Sequence, residues 1–417
     1  MSWSLNEEKV FKDPVHKYIH VQDRVIWDLI NSKEFQRLRR IRQLGTSFFT
    51  FHGAEHSRFS HSLGVYEITR KIIAQFERNQ YPDWPVEERL ISLCAALLHD
   101  LGHGPFSHSI EPVLDMHHER WTCRIIEDES TEVNQILRQV SPDFPEQVAS
   151  VINKRYAKPI VVSLISSQMD ADRMDYLLRD AYFTGVHYGT FDLERLLRML
   201  RPYQGRIVVK DSGMHGVEDY LMSRYQMYWQ VYFHPVTRSS ESILRNVFRR
   251  AKELYMAQHP FQFMPGPLAE LFEGRLTVDG HYMLDEALAQ TALMQWSREK
   301  DAILADLCQR FLTRKLFKYE AVEGDPALKL AEMEQKLTAN GLDPRYYMVL
   351  DAPKDLPYDV YIGGKTNRIP ILILNTKGEL QEISEKSEIV RSISGLQRGK
   401  AVLYYPEDQE DEQENVD

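Results

Sequence analysis

The chain is poor in cysteine, with three in 417 residues, and these stand far apart at Cys94, Cys123 and Cys308. That spacing excludes a disulfide framework and a zinc knuckle, and reads as three reduced core residues. No apolar run approaches the roughly 20 residues that span a bilayer. The N-terminus MSWSLNEEKV carries no signal-peptide pattern, so a soluble, cytoplasmic protein without a membrane partner is expected. An excess of positive charge is also missing. The formal net charge is −10, which argues against nucleic acid as a general partner. Part of that charge sits in PEDQEDEQENVD, and residues 406–417 read as an acidic disordered tail. There is no internal repeat.

What is present is apolar content, 43% of the residues, enough to bury a large core and to carry a second, smaller domain. A period of about 3.6 residues marks helices over 23–43, 61–79, 86–101, 118–128, 131–139, 145–153, 160–180, 192–200 and 215–257. RIVVKDSG is the one clear strand signal in that part. Beyond 265, helices at 283–314 and 325–339 precede the extended runs RYYMVLD, DVYIG and RIPILILNTKGELQEI, the last a hairpin turning at Lys377-Gly378. These patterns predict a mainly α protein, with a helical catalytic domain over 1–264 and a smaller C-terminal α+β region over 265–405.

HDLGHGPFSH, residues 99–108, packs three histidines and an aspartate behind the apolar stretch PVEERLISLCAALLHD. Leu90, Leu93, Cys94, Leu97 and Leu98 mark the buried face of that helix, so His99 and Asp100 fall at its end. Gly102, Gly104 and Pro105 then turn the chain. An imidazole and a carboxylate at a buried helix end are costly to desolvate without strong partners, and a divalent cation is such a partner. A single buried histidine is more often an ordinary core residue. Company elsewhere shifts the balance: HGAEHSRFSHSLGV holds His52, His56 and His61, and SSQMDADRMDYLLRD holds three aspartates in six residues. FQRLRRIRQLG crowds Arg37, Arg39, Arg40 and Arg42 onto one predicted helix, which suggests a phosphate or nucleotide site or, equally, a solvated face.

The order His61, His99-Asp100, Asp172 resembles the H…HD…D signature of the HD superfamily of metal-dependent phosphohydrolases. RFSHSLGV, LLHDLGHGPFSH, HHERW and DADRMDYLLRD are similar, nearly position by position, to deoxynucleoside triphosphate triphosphohydrolases of the SAM-and-HD-domain type, over residues 9–320. The resemblance implies an HD-superfamily helical catalytic domain. It also implies a divalent ion, Mg, Mn, Zn or Fe, held by the two imidazoles and two carboxylates of His61, His99, Asp100 and Asp172. It implies a proton relay of His108, His118 and Glu111, led by His108, with His103 on phosphate. Arg58, Arg173, Arg224 and Tyr232 are implied for the triphosphate, and Gln43, Tyr176 and Asp180 for the sugar. Leu44 offers shape at the base, and Tyr176 stands where a 2′-hydroxyl would project. Glu111 replaces the aspartate of some members, and Arg173 replaces a lysine.

The family also implies nucleotides bound between subunits of a homotetramer, a dimer of dimers. The matching positions are Lys9, Val10, Asn31, Gln36 and Arg39 for dGTP or GTP, and Phe51, Arg195, Arg314 and Lys318 for a neighbouring dNTP. Asn31 replaces a guanine-reading carboxylate and Pro235 a phosphate-binding lysine. The expected activity is metal-dependent hydrolysis of dNTPs to deoxynucleoside and inorganic triphosphate. The alternatives are an HD phosphohydrolase of nucleoside monophosphates, cyclic nucleotides or (p)ppGpp, and a nucleotide-sensing or nucleic-acid-binding assembly.

Overall fold

The structure is a computed structural model that describes residues 4–323, 325–352, 369–394 and 401–407, and within these not the side chains of Ser107 and His108. The run DVYIG and the tail from 408 lie outside the described residues.

The protein is mainly α-helical, with a few strands in its C-terminal part. The chain nevertheless opens on two strands the periodicity does not announce, β1 (Ser4–Asp13) and β2 (Lys17–Asp23), paired antiparallel. In β2 the fully buried Ile19 and Val21 alternate with exposed neighbours, the period-two pattern of a half-buried strand. Half of β1 is charged and six of its ten residues are exposed, which hides it from a search for apolar periodicity.

Helices Arg58–Arg78, Arg89–Leu98, Phe144–Ile152, Pro159–Ile165 and Ala171–Thr184 pack around one apolar cluster that includes Phe35, Tyr66, Leu93, Ile126, Met174 and Tyr220. A second cluster joins Phe106, Ile110, Leu244 and Phe248 to Trp296, Phe311, Tyr346 and Leu403. Its helices Ser107–Leu114 and Pro235–Met256 come from before residue 264, so apolar packing crosses that point.

Four expected continuous helices are broken by polar stops, the first of them, 23–43, where Ser32 caps the helix Lys33–Arg37. The stretch 160–180 divides where Asp170 caps the helix Ala171–Thr184, and 283–314 divides where Asp301 caps Ala302–Leu312. Each carboxylate accepts a backbone N–H three residues on and so favours a new start over continuation. The stretch 215–257 divides at His234, before Pro235.

Strands β3 (Leu200–Tyr203) and β4 (Arg206–Lys210) form a hairpin. The C-terminal part adds β5 (Lys318–Ala321), β6 (Val349–Asp351), β7 (Leu372–Leu374), β8 (Leu380–Glu382) and β9 (Val402–Tyr405). Their sheet orders are β3-β4-β7-β8 and β5-β9-β6. The β7–β8 hairpin turns where expected, with Gly378 at φ 82° and the Asn375 side chain accepting from Lys377 and Glu379 backbone N–H groups. No helix among the described residues is long and apolar enough to cross a membrane, and Cys94, Cys123 and Cys308 are free and buried.

Candidate active site

The three aspartates of MDADRMD carry three different tasks. Asp170 caps the helix Ala171–Thr184 through the Arg173 N–H at 2.8 Å. Asp172, in the first turn, reaches His61 Nε2 at 3.0 Å and lies 3.6 Å from His99 Nε2. Asp175, one turn further, takes His61 Nδ1 at 2.8 Å on its other side. The Asp175 carboxylate also accepts from His16 Nε2 at 2.6 Å and from Arg179 at 2.8 and 3.0 Å. This close approach explains the glycine of RFSHSLGV, because a Cβ on Gly64 would stand 1.8 Å from Asp175 Oδ1.

His61, His99 and Asp172 bring one ligand atom each to within 4.8 Å of one another. Asp100 completes the group, 3.3 Å from His99 Nε2 and 3.8 Å from His61 Nε2. His99 Nδ1 is turned to the Ala96 carbonyl at 2.9 Å, which fixes its tautomer; its Nε2 is buried and makes no hydrogen bond among the described residues. Burial alone would lower the pKa of His61, but the hydrogen bonds to Asp172 and Asp175 more than offset it and lift it to about 10. Asp172 is driven the opposite way, well below the carboxylate range, by His61 and His99 against the pull of burial. A ring of buried carboxylates that draws a proton onto its imidazole is a site that demands positive charge. An orphaned imidazole nitrogen and a mixed N/O donor set fit a divalent metal ion.

Beside this centre, His103 stacks on His118 with ring centres 3.9 Å apart, and Glu111 lies 3.5 Å from His103 Nδ1 and 3.1 Å from His118 Nδ1. Gly102 permits the arrangement: a Cβ there would meet the His118 carbonyl at 2.1 Å. Phe106, at φ 49°, holds a left-handed turn from which the helix Ser107–Leu114 leads Glu111 back to the two rings. Burial and the Arg58 guanidinium push His103 below the usual histidine range, whereas its hydrogen bonds to His103 and His118 carry Glu111 far below the carboxylate range despite burial. His108 belongs to the same helix, and its side chain lies outside the described residues.

Arg58 joins the centre to a cavity of about 500 Å³: its Nη1 donates to Asp100 at 2.6 Å, and it lines the cavity with Gln43, Leu44, Arg173, Tyr176, Asp180 and Tyr232. Arg224 sits behind the lining Tyr228, with its guanidinium carbon 5.6 Å from that ring centre. Arg58 Nε, Arg173 Nε, Arg224 Nε and Nη1, and Gln43 Oε1 are buried without a hydrogen-bond partner among the described residues. Asp180 is held by His56 Nε2 at 2.8 Å and by the Tyr232 hydroxyl at 2.9 Å, so the sequence reading missed His56 as a support. Arg224 and Tyr232 do not share one regular helix: the helix Met214–Met227 widens into a π-turn over Tyr228–Tyr232, which rotates Tyr232 onto Asp180.

Within the basic run Arg37 is buried, Arg42 is half-buried and lines the cavity, and Arg39 and Arg40 are exposed, so the run divides between a structural role and the surface. Arg37 is buried and donates to the carbonyls of Leu101, His103 and Leu284. Arg40 pairs with Asp285, and Arg42 pairs with Glu55 at 2.5 Å and Glu286 at 3.0 Å. Arg37 therefore pins the turn that carries His103, a role visible only once residue 284 is brought beside it.

The positions matched to effector binding fall into groups. Gln36 donates to the Ile30 carbonyl and accepts from Arg39, and Asn31 donates to the Trp27 carbonyl. The Arg39 guanidinium stacks 3.5 Å from the Phe59 ring centre. Lys9 is half-buried and Val10 exposed on β1. Arg314 Nε donates to the Phe49 carbonyl near Phe51, Lys318 opens β5 beside Glu407, and Arg195 is exposed on the helix Leu193–Met199.

Residues 58–180 match the HD domain family and residues 191–263 the HD associated region. Fold and centre together define an HD-domain phosphohydrolase. The chain belongs to the HD-domain family that includes the SAM-and-HD-domain triphosphohydrolases. It is 56% identical over 97% of its length to an uncharacterized protein, YwfO, of Bacillus subtilis, covering 93% of that protein. It is 30% identical to the Dictyostelium discoideum homologue of the deoxynucleoside triphosphate triphosphohydrolase SAMHD1, over 60% of this chain and 51% of that one. The crystal structure of a Bacteroides thetaiotaomicron phosphohydrolase superposes with a TM-score of 0.81 at 27% identity, over 96% of this chain and all of that one.

Proposed function

We propose that the protein hydrolyses dNTPs to deoxynucleoside and inorganic triphosphate. The observation that carries this reading is the cavity beside the His/Asp centre, with unpartnered nitrogens of Arg58 and Arg173 in its lining and of Arg224 behind Tyr228. Such donors are costly when unpaired and match a polyanion.

His61, His99, Asp100 and Asp172 would hold a divalent ion, which would supply Lewis-acid polarisation of a phosphoryl oxygen and an activated water. Arg58, Arg173, Arg224 and Tyr232 bind the triphosphate and orient it toward that centre. Glu111 orients the imidazoles of His118 and His103, and His108 leads the relay that gives a proton to the leaving 5′-oxygen. Asp180 accepts from the 3′-hydroxyl, and the Gln43 side-chain amide donates to its oxygen. Each Asp180 oxygen already has one partner and keeps a lone pair for a second. Tyr176 fills the space of a 2′-hydroxyl and excludes ribonucleotides by clash. Leu44 shapes the base end.

Guanine nucleotides at Lys9, Val10, Asn31, Gln36 and Arg39, with a dNTP at Phe51, Arg195, Arg314 and Lys318, favour an active homotetramer. Turnover of each dNTP alone and paired with dGTP or GTP, beside sedimentation of the same mixtures, tests both parts. Hydrolysis that rises cooperatively with tetramer formation is expected. Hydrolysis of nucleoside monophosphates, cyclic nucleotides or (p)ppGpp in preference to dNTPs would overturn the substrate assignment.

A further inference from the structure

We infer that the N-terminal hairpin is a working part of the metal centre, with His16 as a positioning residue that acts on His61 through Asp175. The link consists of two hydrogen bonds on one buried carboxylate: His16 Nε2 to Asp175 Oδ1 at 2.6 Å, and His61 Nδ1 to Asp175 Oδ2 at 2.8 Å. All three side chains are almost wholly removed from solvent. A carboxylate can only accept, so Asp175 holds the proton on His61 Nδ1, and Nε2, which faces Asp172 at 3.0 Å, is the nitrogen presented to the centre.

Position in the fold makes this more than a local support. His16 lies in the turn between β1 and β2, 159 residues from Asp175 in sequence. The turn is itself built to present it: Asp13 Oδ1 accepts the backbone N–H groups of Val15 and His16 at 2.9 Å. Asp13 also receives Arg179 Nη1 at 2.8 Å, and Arg179 grips Asp175 with its remaining nitrogens. A third attachment ties β2 to the ligand-bearing helix Arg58–Arg78, where the Tyr66 hydroxyl donates to the His20 carbonyl at 3.0 Å. The hairpin, Asp175 and His61 thus form one hydrogen-bonded unit, and anything that shifts the hairpin changes how His61 is presented. Linkage makes the effect reciprocal: an ion that fixes His61 steadies the hairpin.

The inference rests on His61 being a metal ligand, and its test keeps the two apart. Mn²⁺ affinity is measured by titration calorimetry on the full chain and on His16→Ala, His16→Gln, Asp175→Asn and His61→Ala. His16→Ala and Asp175→Asn weaken Mn²⁺ binding by about 10- to 100-fold. His16→Gln, which keeps an N–H for Asp175, recovers most of the loss, a rescue that mere filling of space would not require. In the unaltered protein, where no variant can misfold, Mn²⁺ slows amide hydrogen exchange across residues 13–23. Wild-type Mn²⁺ affinity in a folded His16→Ala protein, or hairpin exchange indifferent to Mn²⁺, overturns the inference. Unchanged affinity in His61→Ala overturns instead the ligand assignment beneath it.

Discussion

The two ends of the site are built on opposite principles. Around the His/Asp centre the carboxylates are satisfied: Asp175 accepts from His16, His61 and Arg179, and Asp100 accepts from Arg58. Around the cavity, nitrogens of Arg58, Arg173 and Arg224 are buried with no hydrogen-bond partner among the described residues. A satisfied shell fixes geometry before any ligand arrives, which suits a centre that must hold an ion in one place. Unsatisfied donors raise the energy of the empty cavity, and an anionic ligand that pairs them recovers it. The difference teaches that the same residue type serves two ends. Arg179, saturated by Asp13 and Asp175, is structural, whereas Arg224 is poised for something not part of the fold.

This contrast is broken most severely at the ligands. Asp172→Ala removes a carboxylate from the centre and lowers turnover by about 10³-fold or more, with loss of bound metal by elemental analysis. Chelation with EDTA has the same effect and is reversed by added Mn²⁺. Next comes the cavity. Arg224→Met lowers kcat/KM for dNTPs by about 10²-fold, yet leaves the Tm of the nucleotide-free protein unchanged or higher, because two buried nitrogens without hydrogen-bond partners are removed. A large drop in Tm would show Arg224 to be structural and erase the contrast. Tyr176→Ala sharpens the substrate side. Loss of the ring relaxes discrimination between dGTP and GTP by about tenfold, read as the ratio of their kcat/KM values. The smallest effect is on stability. Gly64→Ala forces a Cβ against Asp175 and costs about 1–3 kcal/mol, measured by denaturant unfolding of the metal-free protein.

Much of the centre was legible in the chain because its ligands sit in short motifs on helices. His61, His99, Asp100 and Asp172 converge, and Tyr176 and Asp180 follow Asp172 on the helix Ala171–Thr184 and line the cavity. What escaped depends on partners far away in sequence. Asp175 reads as one more helical aspartate until His16 is brought to it, and His56 reads as a loop histidine until Asp180 is. The partners of Arg37, Arg40 and Arg42 escape for the same reason, since the Leu284 carbonyl, Asp285 and Glu286 lie about 245 residues on. β1 and β2 were invisible because a hairpin with one wet face shows few apolar residues. Tyr232 kept its expected neighbourhood only through a π-turn that no regular period describes.

The central claim is that the cavity holds an intact triphosphate with its bond to the sugar facing the His/Asp centre. Its most direct test is the identity of the products released from a dNTP by the Mn²⁺-loaded protein, separated by ion-exchange chromatography. The account predicts deoxynucleoside and inorganic triphosphate in equal amounts. Deoxynucleoside monophosphate with pyrophosphate, or diphosphate with orthophosphate, as the sole products would contradict it.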